Sequence, residues 1–168
     1  MSRNVLTNFN YSVEGRGYAG DASKIDLPDL EVKVEAFNAG GYTAEVEIAL
    51  GRLAKAMEIE VTYNTFTPDV MKSVAAMPNN TFNHVFQGAY TTPNGVVSRK
   101  ITARAFAKTI KEEAWEPGKK ISMTSKLAVH YYRDEWDGKV MNEVDPENCV
   151  LIIDGVDLAK GVREAIAL

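Results

Sequence analysis

The stretch from Ile121 to Asp145 restricts the fold more than any other part of the chain. Its odd positions run Ile121, Met123, Ser125, Leu127, Val129, Tyr131, and its even positions Ser122, Thr124, Lys126, Ala128, His130. That is a period of two, which a strand satisfies and a helix does not. Asp137-Gly138 follows, and this dipeptide supplies the two positive-φ positions of a type I′ hairpin turn. Regular antiparallel pairing across that turn sets Trp136 opposite Lys139, Tyr131 opposite Val144 and His130 opposite Asp145, and predicts Tyr131 and Val144 on the buried face. Strands in small domains mostly span about 3–10 residues. A hairpin of this length therefore predicts strands that serve something larger than the core of one subunit.

The same alternation recurs along the chain. Val96 to Ile110 predicts a second long strand, with Ile101, Ala103, Ala105 and Ala107 on one face and Lys100, Thr102, Arg104 and Lys108 on the other. Shorter strands are predicted at Asn8 to Val13, Glu31 to Phe37, Glu45 to Ile48, Met57 to Tyr63, Phe82 to Tyr90 and Cys149 to Ile153. Thr67-Pro68-Asp69 combines an N-cap, a first-turn proline and an acid near the positive end of a helix. Val70, Met71, Val74, Ala75 and Met77 follow at helical spacing until Pro78, which predicts a helix over Pro68 to Ala76. A terminal helix is predicted from Asp157 to Ile166, with Leu158, Val162, Ala165 and Ile166 as its apolar stripe. The fold class is mainly β: an antiparallel sandwich or barrel-like subunit with one or two short helices. At 168 residues the chain is expected to be one domain, residues 1–168.

Composition narrows what such a subunit does. A net charge of −4 gives no overall basic footprint for gripping nucleic acid. The longest purely apolar run, Cys149 to Ile153, is far short of the ~20 residues of a membrane helix. Residues Met1 to Asn8 hold one basic residue and no apolar run, so neither a membrane anchor nor a secretory signal is predicted, and synthesis in the cytoplasm is expected. Cys149 is the single cysteine and reads as a small buried hydrophobe. No metal or cofactor is expected. Of the two histidines, only His130 has a placeable carboxylate partner, Asp145 across the hairpin, and a surface ion pair accounts for it. Gly15-Arg16-Gly17-Tyr18-Ala19-Gly20 fits a dinucleotide fingerprint letter by letter, but neither a βαβ unit nor a helical pattern accompanies it. Carboxylates two apart, as at Glu45/Glu47 and Glu58/Glu60, mark the solvated side of a strand, and the row Lys100, Arg104, Lys108 calls for glutamates on a neighbouring strand. No catalytic constellation results.

Ordered motifs then carry a resemblance through nearly the whole chain. They are Tyr18-Ala19-Gly20-Asp21, Leu27-Pro28-Asp29-Leu30, Ala39-Gly40-Gly41, Phe86-Gln87-Gly88 and Trp115-Glu116-Pro117-Gly118-Lys119. Tyr131-Tyr132-Arg133, Asp137-Gly138, Glu143-Val144-Asp145-Pro146-Glu147-Asn148 and Asp154-Gly155-Val156-Asp157 follow. In this order and spacing the chain resembles the major tail tube proteins of contractile-tailed bacteriophages and the related R-type pyocin tubes. Type VI secretion tubes share the architecture.

The resemblance implies hexameric rings stacked into a hollow tube inside a contractile sheath. Its implied partners are further copies of itself, the sheath protein, the initiator or baseplate and terminator proteins, and DNA in non-specific passage; its implied place is the virion tail. On that reading Glu14, Gly15, Arg16 and Gly17, together with Asn38, Ala39, Gly40, Gly41 and Tyr42, are candidate loops between rings. Glu45, Glu47, Glu58 and Glu60 are candidate carboxylates of the channel or solvent face, and Asp137-Gly138 ends a wall strand. Either predicted helix is a candidate to face the sheath. A different class competes for the same residues: a carbohydrate-binding β-sandwich with Trp115, Trp136 and Tyr132 as its aromatic platform.

Overall fold

The computed structural model describes residues 3–17, 21–75 and 80–168. Tyr18, Ala19, Gly20, Ala76, Met77 and Pro78, named above, lie outside the described residues, as do the side chains of Val74 and Ala75. Twelve strands and two helices are described: β1 (Val5–Val13), β2 (Arg16–Gly17), β3 (Ala22–Asp26), β4 (Val32–Phe37), β5 (Val46–Leu53), β6 (Glu58–Tyr63), α1 (Pro68–Ala75), β7 (Phe82–Thr92), β8 (Gly95–Glu112), β9 (Met123–Trp136), β10 (Lys139–Asp145), β11 (Val150–Ile153), β12 (Val156–Asp157) and α2 (Lys160–Ala165).

Ten strands form one antiparallel sheet in the order β12-β11-β10-β9-β8-β7-β1-β2, and β6 with β3 branches from β9. Both branches share one edge of β9: β6 pairs with Met123 to Ala128, and β10 with Tyr132 to Trp136. Four strand spacings, about 19 Å of sheet, separate β1 from β6. Their tyrosines nonetheless meet, with the Tyr11 and Tyr63 rings 6.2 Å apart and the Tyr63 hydroxyl donating to the Tyr11 oxygen at 3.4 Å. The sheet is therefore curled, and its concave side is the core. Ile59, Val61, Tyr63, Ala103, Ala105 and Met123 are fully shielded there. The alanine row keeps β8 thin on that side, and the rings of Tyr11, Tyr63 and Phe86 join the same cluster.

The long hairpin forms as its sequence dictates, but in a different register. Asp137 and Gly138 take φ of 50° and 78°, and Trp136 faces Lys139. Met141 is then an extra residue on β10, so Val144 faces Tyr132, not Tyr131. A second bulge, at His130 on β9 against Arg104 and Ala105, reverses the alternation. Met123, Ser125, Leu127 and Val129 point into the core before it, and Tyr132 and Asp134 after it. Tyr131 accordingly lies outside the core, its hydroxyl donating to Glu143 at 2.9 Å and the Arg104 guanidinium over its ring. His130 meets Glu147 at 3.1 Å, not Asp145. Bulges add one residue to one strand and so flip every side chain beyond them.

The turn itself supplies a test. A Cβ at Gly138 would meet nothing within 4 Å, so the cost of Gly138→Val is backbone strain at positive φ alone. We expect a loss of about 1–2 kcal/mol in urea unfolding. An unchanged midpoint would mean that this turn does not hold the hairpin.

The carboxyl-terminal segment departs from its pattern. Val156 and Asp157 pair with β11 as a short strand, and the helix shrinks to Lys160–Ala165. It is also turned over. Arg163 faces the body, donating to Asp157 at 2.7 Å and to the Cys149 carbonyl at 3.0 Å, while Leu158, Val162 and Ile166 are exposed.

Candidate assembly surfaces

Among the described residues β4 and β5 pair only with each other, as a two-stranded arm outside the main sheet. At its base the Ala54 amide donates to the Glu31 carbonyl at 2.8 Å. The arm carries no core of its own, so Val34, Phe37, Val46, Ile48 and Leu50 remain 41 to 52% exposed. Its tip is the predicted loop Asn38 to Tyr42. That loop is a defined turn: the Tyr42 amide donates to the Ala39 carbonyl at 3.1 Å, Gly41 takes a φ of 94°, and the Tyr42 ring meets Phe37 edge-on. Glu45 precedes β5, and Glu47 sits on it opposite Ala36. From Val32 to Leu53 the arm holds Glu35, Glu45 and Glu47 against Lys33 and Arg52.

The second predicted loop is fastened to the body. Glu14 and Gly15 both take positive φ in the β1–β2 turn, the Glu14 amide donates to the Asn83 carbonyl at 2.9 Å, and Arg16 meets Asp69 of α1 at 3.4 Å. Gly17 pairs with Ser12. A Gly-Arg-Gly sequence thus yields a pinned turn here.

The four singled-out carboxylates divide into two pairs. Glu45 and Glu47 are on the arm and carry no ion pair among the described residues. Glu58 and Glu60 lie on the open, convex face of the sheet, where each meets a lysine: Lys108 bonds Glu58, and Lys126 stands 4.0 Å from Glu60. The same face carries Arg133 against Glu135, and its β1 and β7 strands add Asn8, Asn10 and Gln87. It is a polar, charge-matched surface. Of the row Lys100, Arg104 and Lys108, Lys108 meets a glutamate, Glu58, across β9, whereas Arg104 stands 3.9 Å from Asp145.

No group of three or more possible metal ligands exists among the described residues, and no helix there is long and apolar enough to cross a membrane. The proposed aromatic platform does not form. Tyr132 is buried, Trp136 packs on Tyr90 at 5.0 Å, and Trp115 projects 85% exposed from the loop at the opposite end of β9, about 40 Å of strand away. Sequence reasoning missed the arm as a separate unit. Its signal was present in Gly40-Gly41 and in Gly51, which takes a φ of 69° where the β4–β5 pairing becomes irregular.

Comparison with known proteins decides the family. The family model described as phage tail tube protein FII matches residues 3–166. The chain belongs to this family. The tail tube protein is 25% identical to that of Escherichia phage P2 over 166 residues, covering 97% of this chain and 96% of the relative. Its fold matches a chain of the extended sheath-tube complex of PVC, an extracellular contractile injection system, with a TM-score of 0.57 at 10% identity, covering 76% of this chain and 87% of that one. A chain of the anti-feeding prophage cap matches with a TM-score of 0.55 at 12% identity, covering 79% and 85%. The mainly antiparallel fold and the tail tube role read from the sequence both hold, and the carbohydrate-binding reading has no support. The protein is a structural component of a contractile phage or phage-like tail.

Proposed function

We propose that the tail tube protein closes into hexameric rings, and that these stack into the inner tube of a contractile virion tail through which DNA enters the host. The observation that carries this reading is the curled sheet itself. Its two longest strands, β8 and β9, expose a polar, charge-matched face. Six such faces make a lumen wall in which Glu58 and Glu60 each have a lysine beside them and Glu135 has Arg133. Paired charges of opposite sign cancel beyond a Debye length, about 8 Å at physiological salt, so phosphates slide past without being held. The role is mechanical, with no catalysis and no cofactor. Subunits are made in the host cytoplasm, and the assembled tube meets sheath, baseplate and terminator proteins.

The arm tip, Asn38 to Tyr42, reaches the adjoining ring, and the pinned Glu14 to Gly17 turn is a rigid part of the surface it meets. Electron microscopy of the purified protein is expected to show rings or hollow tubes; a strict monomer at every concentration and salt would refute the assignment. Deleting Asn38 to Thr43 is expected to leave a folded subunit that no longer stacks, and tubes of unaltered length from that variant would remove the loop from the interface.

A further inference from the structure

We propose that Trp115 is the seat of the arm: in the stacked tube, the apolar face of one copy's arm packs against Trp115 and Ile121 of the copy it reaches. This rests on the tube reading and names the surface that the arm meets within it.

The seat is built before anything fills it. Trp115 is 85% exposed, and Ile121, at the far end of the same β8–β9 loop, is exposed as well. The loop is nevertheless fixed in shape. The Glu113 amide donates to the Ser122 carbonyl at 3.0 Å and the Lys119 amide to the Glu116 carbonyl at 3.1 Å. Gly118 takes a φ of 83°, and Lys119 pairs with Glu116. Trp115, Pro117 and Ile121 thereby wall an open cleft of about 410 Å³. A tryptophan on a loop already ordered has less freedom to lose on binding, and tryptophan is prominent among the anchors of protein interfaces.

The arm offers a surface of the same kind. Phe37 pairs with Val46 and Glu35 with Ile48, which puts Phe37, Val46 and Ile48 on one face. All three are exposed, and the Tyr42 ring stands edge-on to Phe37 at 6.4 Å. Aromatic rings attract edge to face, so this pair suits an indole. The two surfaces also lie at opposite ends of β6. The arm springs from the chain between Asp26 and Glu58, at the level of Lys126 to Ala128 on β9, whereas β6 ends with Tyr63 opposite Met123, where the Trp115 loop joins. The eight residues of β5 span about 26 Å, enough to carry the tip from one copy to the next. A donor at one end of a chain and a different acceptor at the other make a head-to-tail contact, which repeats in one direction as stacked rings require.

The test uses full-length protein. Trp136→Phe leaves Trp115 as the one tryptophan, and its fluorescence is expected to shift to the blue and to resist quenching by acrylamide when tubes form without sheath. Trp115→Ala is expected to raise the concentration needed for tube growth by on the order of 30-fold, with the urea midpoint of the free subunit unchanged. With Cys149→Ala, the pair Asn38→Cys and Ala114→Cys in one chain is expected to give a ladder of linked oligomers with a short bis-maleimide, and either cysteine alone none. Tubes in which Trp115 stays as quenchable as in the free subunit, and which Trp115→Ala forms equally well, would overturn the seat and leave the tube reading intact. Burial of Trp115 in tubes without the cross-link would overturn the arm as its occupant, and burial only when sheath protein is added would assign the seat to the sheath instead. Absence of any ring or tube would overturn both.

Discussion

Asp134→Ala is expected to lower the stability of the tail tube subunit by about 3 kcal/mol, measured by urea unfolding of the unassembled protein. Asp134 sits on the core side of β9 with its side chain only 4% exposed. It accepts two bonds from Arg99 on β8, from Nε at 2.9 Å and from Nη2 at 2.6 Å, and Arg99 Nη1 donates to the Tyr90 hydroxyl on β7 at 3.4 Å. Three strands are thereby clamped at one level of the sheet. The Asp134 hydrogen bonds also hold the Arg99 guanidinium charged, well above its usual range. Removing the carboxylate leaves that charge largely buried, with no counter-charge and only the Tyr90 hydroxyl as a partner. The penalty falls at the low end of the range for broken buried pairs because Arg99 remains a quarter exposed. Replacing both members by apolar residues of similar volume, Arg99→Met with Asp134→Leu, is expected to recover most of the loss, since the cost lies in the orphaned charge. If the double variant is as unstable as the single one, packing and not charge explains the site.

This clamp shows where sequence reasoning reached and where it stopped. The alternation over Ile101 to Ala107 and Met123 to Val129 was legible because one face of each strand is buried, which forces a period of two. The turn at Asp137-Gly138 was legible because few residue pairs accept two positive φ values. The inserted residues at His130 and Met141 were not. A bulge leaves no compositional mark when the residues around it suit either face, as tyrosine does at both 131 and 132. Extrapolating the period past His130 therefore buried the wrong tyrosine, and gave no sign that Asp134 points inward to meet Arg99.

The candidate surfaces divide along the same line. Gly40-Gly41 and the lysine row could be read locally, since a turn needs positive φ and a row of like charge needs compensation. Which apolar residues lie exposed could not. The stripe of Leu158, Val162 and Ile166 has helical spacing, which ordinarily marks a face turned to the core. Arg163 reverses it by bonding Asp157 and the Cys149 carbonyl, a tertiary pairing invisible in the helix itself. The exposure of the arm's valines and isoleucine likewise follows from their lying outside the main sheet, which no local pattern marks.

Acidification is expected to weaken the subunit through one buried imidazole. His84 on β7 is 2% exposed, stacked on Tyr11, whose hydroxyl shares a hydrogen bond with Nδ1 at 2.8 Å. Its Nε2 has no well-aligned partner. Burial lowers its pKa from 6.5 to about 4, against the opposing pull of the Ala105 backbone and of Glu14. The sign follows from which state takes up the proton. Above 6.5 both folded and unfolded chains hold a neutral imidazole, and the contribution is fully present. As pH falls from 6.5 towards 4 the unfolded chain binds a proton that the folded one refuses, so stability drops. The loss amounts to about 2 kcal/mol by pH 5 and about 3 kcal/mol at pH 4, levelling off below. His84→Gln keeps a hydrogen-bonding group for the Tyr11 hydroxyl and does not titrate. Unfolding free energies of the two proteins, compared at pH 7.5 and 5, are expected to show the decline in the wild type and a nearly flat response in the variant. Parallel declines would move the acid sensitivity away from His84, and wild-type stability that held steady to pH 5 would mean that the folded core accepts the proton after all.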